Sequence, residues 1–126
     1  MEANMVGWFE IPVTDMDRAK NFYETVFEIK IQLQNFNELL MGWFPLAEGK
    51  MGASGSLVKH PDFYHPSKTA GPLLYFSSKD VQDQVERIEK AGGKILQPKK
   101  LISEDIGYMA LFIDSEGNRV ALHSRH

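Results

Sequence analysis

The chain has 126 residues, 43% of them hydrophobic and 25% charged, with a formal net charge of −3. That suffices for one domain with a real core and offers no basic footprint for nucleic acid. The absence of cysteine excludes disulfides, a thiolate nucleophile and Cys-ligated zinc. No apolar run approaches the roughly 20 residues that span a bilayer, and the first residues carry neither a basic region nor a signal-like apolar segment. The expectation is a cytoplasmic protein without membrane or nucleic-acid partners.

In the first stretch, Phe9, Ile11 and Val13 alternate with Trp8 and Glu10, the period of a strand. Met16, Ala19, Phe22, Tyr23, Val26 and Phe27 then recur at three- and four-residue steps, one stripe of a helix. Thr14 or Asp15 is its N-cap, and Asp15 and Asp17 suit the positive end of the helix dipole. Ile29, Ile31 and Leu33 alternate as a half-exposed strand, Asn35–Asn37 reads as a turn, and 38–44 as a further strand ended by Pro45. Residues 51–59 form a weak strand containing Gly52 and Gly55. The stretch 60–71, with two prolines and no periodicity, is a connector.

The pattern then restarts. Leu74 and Phe76 alternate with Leu73, Tyr75 and Ser77. A helix follows from about Asp80 to Ala91, stopped by Gly92. Residues 94–97 make a short strand closed by Pro98, 107–113 a stronger one, and 114–118 a turn into the last strand, 119–123. Lys99, Lys100 and the run 103–105 read as solvated surface. Asp15 and Asp80 stand at matching points, so the chain reads as a duplicated βαβββ unit. The fold class is α+β: one domain, 1–126, with unit 1 at about 5–59, the connector at about 60–71 and unit 2 at about 72–124. Each helix covers one face of its own sheet, and the other face must be covered or kept as a pocket.

DMDRAKNFY after a short strand, and DSEGNRVAL leading the last one, resemble the vicinal oxygen chelate superfamily. That group includes glyoxalase I, extradiol dioxygenases, fosfomycin resistance enzymes and bleomycin-binding proteins. More narrowly, the chain resembles small single-module glyoxalase-related proteins. The resemblance implies sheets cupped around one cavity, within a chain or across a homodimer. It also implies a divalent metal held by His and Glu from the first and last strands of each unit. The matching positions here hold Trp8, Leu73 and Ala121, and residues 51–58 contain no His, Asp, Glu or Cys. The expectation is therefore no metal, no cofactor and no ordinary metal-dependent glyoxalase I activity.

Alternation assigns the remaining chemistry. Trp8 and Glu10 share a face, as do Tyr75 and Ser77, and Arg119, Ala121 and His123; Ser54 and Ser56 join them from the fourth strand. Glu10 stands between apolar neighbours, where a carboxylate acts as a general base or as an acceptor for a cationic or hydroxylated ligand. The plainer alternative is a structural pair with a serine, a backbone N–H or Arg119. His123 is its expected acid–base partner, against an exposed or dimer-contact role near the C-terminus. Tyr75, Trp8, Trp43, Ser54, Ser56 and Arg119 are the substrate-binding candidates, although Tyr75 and Trp43 are as readily wall and core. His60 and His65, with Asp62 between them, read as solvated connector or lid rather than metal ligands. Two functions compete: a metal-free binder of a small organic molecule, antibiotic sequestration included, and a lyase- or isomerase-type enzyme using Glu10. A metal-dependent lyase or dioxygenase with a displaced site ranks behind both.

Overall fold

The structure, a computed structural model, describes residues 2–126. Two four-stranded sheets, each with one helix, follow one another along the chain. The first unit comprises β1 (Phe9–Pro12), α1 (Met16–Phe27), β2 (Gln32–Phe36), β3 (Leu39–Trp43) and β4 (Gly55–Lys59), in the sheet order β1-β4-β3-β2. The second comprises β5 (Tyr75–Ser77), α2 (Val81–Ile88), β6 (Lys94–Ser103), β7 (Gly107–Ile113) and β8 (Arg119–Ser124), in the order β5-β8-β7-β6. In each sheet the first and last strands are parallel and the rest antiparallel. These are the two tandem βαβββ modules that the repeat predicts.

Local chemistry sets the helix ends. Asp15 is extended and its Oδ1 accepts from the Arg18 N–H at 3.1 Å; Asp80 does the same for Gln82 at 2.9 Å. Gly92, at φ 107°, supplies the left-handed residue just beyond the second helix. The stripe of α1 (Met16, Ala19, Phe22, Tyr23, Val26) is buried, as are Val81 and Ile88 of α2. Both helices lie against the inner faces of the sheets and touch each other, so Ile11, Val13, Leu57, Phe112, Val120 and Leu122 join them in one core. Gly42 sits under this layer. A Cβ there would come within 2.8 Å of Ile31 Cγ2.

A hydrogen-bonded clasp joins the modules. The Tyr23 hydroxyl donates to Asp114 Oδ2 at 2.6 Å, and Asn118 Nδ2 donates to the Pro12 carbonyl at 2.7 Å. Burial pushes the Asp114 carboxyl above its usual range, against the opposing pull of the Tyr23 and Asn118 donors. Glu116 reaches across to the start of α1. Its Oε1 accepts from the N–H groups of Thr14 (3.0 Å) and Asp15 (2.8 Å), and its Oε2 accepts from Arg18 Nε at 2.7 Å.

Three boundaries differ from the sequence reading. The second strand is 32–36 rather than 29–33, because Ile31 turns into the core and Asn37, at φ 67°, makes the turn. β6 runs past Pro98 to Ser103, with register shifts between Gln97 and Lys100. As the edge strand it has no ladder bond on one side for a proline to break, so the strand carries on through Lys99 and Lys100. The fourth strand starts only at Gly55.

Candidate functional site

The faces of the sheets turned away from the helices carry the chemistry. In the first sheet, register sets Glu10 beside Ser56 and Ser56 beside Trp43, one row across three strands. In the second, Tyr75 pairs with Ala121 and Ser77 with His123, which pairs in turn with Met109. No strand of one sheet runs alongside a strand of the other among the described residues. Glu10 and His123 therefore stand on separate sheets. Trp8 and Tyr75 are 46% and 49% exposed, so both lie on open faces rather than inside an enclosed pocket.

Glu10 is exposed, and its Oε1 accepts a 2.5 Å hydrogen bond from the Tyr64 hydroxyl. This bond, with some burial, holds the phenol above its ordinary pKa. Neither a serine nor Arg119 fills the partner role, as the sequence reading allowed. Tyr64 belongs to the connector, which folds back onto this face between Pro61 and Pro66. Beneath it Ser56 and Val58 are inaccessible. The residue was missed because a polar, proline-flanked stretch has no period; its one signal was the Phe63-Tyr64 pair of aromatics.

Ser56 and Ser54 are corrections. Ser56 is fully buried and its Oγ donates to the Leu57 carbonyl at 2.7 Å, so it is a structural hydroxyl. Ser54 Oγ donates to the Pro45 carbonyl at 3.1 Å, and its side chain lines a crevice on the helix side of β1 instead. His123 Nε2 lies 2.6 Å from the Ile106 carbonyl. A carbonyl oxygen only accepts, so Nε2 carries a proton and donates it here, which leaves Nδ1 as the ring nitrogen outside this contact. Trp43 Nε1 is buried and is the one such side-chain atom without a hydrogen-bond partner among the described residues. An indole N–H in that state is a donor awaiting an acceptor.

The residues present do not fit a divalent metal. Among the described residues, no three His, Cys, Asp or Glu side chains converge. Indole, aliphatic and methyl groups occupy positions 8, 73 and 121, and none of these donates an electron pair to a cation. His60 and His65 engage the backbone around Asp62 instead.

Comparison with known proteins follows this geometry. The glyoxalase/bleomycin resistance protein/dioxygenase superfamily model matches residues 5–122. A glyoxylase-like domain-containing protein of Didymella fabae is 29% identical over 126 residues, covering 95% of this chain and 93% of that one. Glyoxalase I from Zea mays superposes with a TM-score of 0.70 at 19% identity over 94% of this chain, which spans 45% of the maize enzyme, less than half its length. A glyoxylase/bleomycin resistance protein/dioxygenase domain from Frankia sp. EAN1pec gives 0.74 at 18% identity, with 98% of each chain covered. The antibiotic binding protein TnmS3 from Streptomyces sp. CB03234 gives 0.65 at 25% identity, again with 98% of each covered. With its duplicated βαβββ plan and the match over nearly its whole length, the chain belongs to the glyoxalase/bleomycin resistance protein/dioxygenase superfamily.

Proposed function

We propose that this protein binds a small organic molecule, without a metal, on the outer face of its first sheet. The observation that carries the reading is the Glu10–Tyr64 pair, an exposed carboxylate accepting a hydrogen bond from a connector phenol. A ligand bearing a hydroxyl or a cationic nitrogen replaces the phenol on Glu10, while Trp8 supplies an aromatic wall. The second sheet contributes Tyr75, Arg119 and His123 from another copy of the chain. In that homodimer the open face carrying Glu10 meets the one carrying Arg119 and His123, with complementary charge. The antibiotic binding protein from Streptomyces, alike over its full length, favours sequestration as the use of such a site.

A second reading keeps the same face and adds turnover: Glu10 takes a proton from a carbon acid and returns it elsewhere, lyase- or isomerase-type chemistry. His123 Nδ1 from the partner copy is the relay. One experiment separates the two. Dicarbonyls, thiol conjugates and cationic antibiotics are screened by thermal shift on wild type, Glu10→Gln and Tyr64→Phe. A binder loses affinity in Glu10→Gln and gains or keeps it in Tyr64→Phe, where the competing phenol is gone. An enzyme loses turnover of the same compound in Glu10→Gln while retaining binding. Hits whose affinity and turnover both ignore the two substitutions would refute the site.

A further inference from the structure

On the other side of β1 a crevice open to solvent runs between the modules. It holds about 180 Å3, and its walls are Ile29 and the rings of Phe9, Phe27, Phe44 and Phe76, with Ala53 and Pro45 at the rim. Phe76 comes from the second module and the other rings from the first. Phe9 meets Phe76 edge-on at 5.5 Å, Phe27 meets it at 4.9 Å and Phe44 at 5.6 Å. The rings therefore form a continuous aromatic lining rather than a scatter of apolar atoms.

An apolar crevice left open to water is normally closed by its own side chains, because removing that surface from water is favourable. Flexible side chains are the usual filler, but rings that brace one another as these do cannot collapse inward. The chemistry of the lining is one-sided. No charged side chain borders the crevice, and its one polar side chain, Ser54, already donates to the Phe44 and Pro45 carbonyls. Nothing in it rewards an ion or compensates a buried hydroxyl. The volume is close to that of apolar cavities that take up a single benzene ring, and the exposed Pro45 gives a path from solvent.

We infer that this crevice is a binding site for one uncharged aromatic ring, separate from the Glu10 face and independent of what that face binds. The occupant presents its edges to the phenylalanine faces and is an unsubstituted or methyl- or halogen-substituted ring; a carboxylate or amine on it is rejected.

The test uses fluorobenzene as the probe, followed by 19F NMR, with toluene as competitor and benzoate as the charged control. Wild type should broaden and shift the probe signal saturably, toluene should reverse the effect, and benzoate should not. Ala53→Leu fills the crevice from one side and Phe27→Trp from another. Each should weaken the probe by about ten-fold or more, while Glu10→Gln leaves it unchanged. If one filled variant fails to fold, the other carries the comparison. The inference is overturned by a wild-type protein that shows no saturable effect, by probe binding that survives in the folded filled variant, or by benzoate competing as well as toluene.

Discussion

Glu116→Gln tests the clasp between the modules. Burial alone would raise the Glu116 carboxyl, but Arg18 and the N–H groups of Asp15 and Thr14 outweigh it and hold its pKa at about 2, from an ordinary 4.5. Its side chain is fully enclosed while Arg18 is 52% exposed. At 1.36 kcal/mol per unit the depression corresponds to about 3 kcal/mol, which solvent screening at Arg18 reduces to about 2 kcal/mol. A carboxyl whose folded pKa is depressed stabilises the fold above its unfolded pKa and ceases to do so as pH falls through the folded one. The advantage of wild type over Glu116→Gln should therefore be about 2 kcal/mol at neutral pH. It should shrink below about pH 4.5 and vanish near pH 2. Glutamine does not titrate, and it turns an amide donor toward Arg18. Urea unfolding of both proteins at pH 7 and pH 3 measures the difference. Subtraction removes Asp114, whose raised carboxyl favours the fold as pH falls. Equal midpoints at pH 7, or a gap that does not change with pH, would refute the assignment.

Tyr23→Phe removes the buried donor to Asp114 and should cost about 1–3 kcal/mol in urea, less at acid pH where that carboxyl protonates. Gly42→Ala drives a methyl toward Ile31 and Met16 and should cost about 1–3 kcal/mol, visible as a lower melting temperature with an unchanged circular dichroism spectrum. Gly107→Ala is worse, because φ is 105° and the new carbon meets the Ser124 carbonyl; a loss above about 2 kcal/mol is expected. Dialysis against a chelator should leave the melting temperature unchanged, and a fall reversed by Ni or Zn would restore the metal-dependent alternative.

The duplication was legible because both halves announce themselves the same way. Asp15 and Asp80 each follow an alternating strand and precede an amphipathic stripe, and both became N-caps. Strand faces were also legible from period alone, which set Trp8 and Glu10 on one side; that Trp43 joins Glu10 across β4 is a matter of register. What failed was reach. Period says which way Ser56 points but not that its hydroxyl folds back onto Leu57, and it says nothing of Tyr64, placed by a connector with no period. Pro98 misled because a proline stops a central strand but not an edge one. Glu10 and His123 were paired from strand faces alone, and the register puts them on different sheets, Glu10 beside Ser56 and His123 beside Ser77 and Met109.

The turn at 114–118 has a bearing on how the chain acquires its shape. Thr14 and Asp15 receive Glu116 from 102 and 101 residues away, and Pro12 receives Asn118 from 106 away. The first helix thus owes the completion of its N-terminus to a segment synthesised about a hundred residues after it. A nascent chain holding only the first module has its helix half finished and its aromatic side uncovered, and contacts that span so much sequence form late. Docking of the two halves then waits for the second module, and loss of the 114–118 turn undoes the start of the first helix.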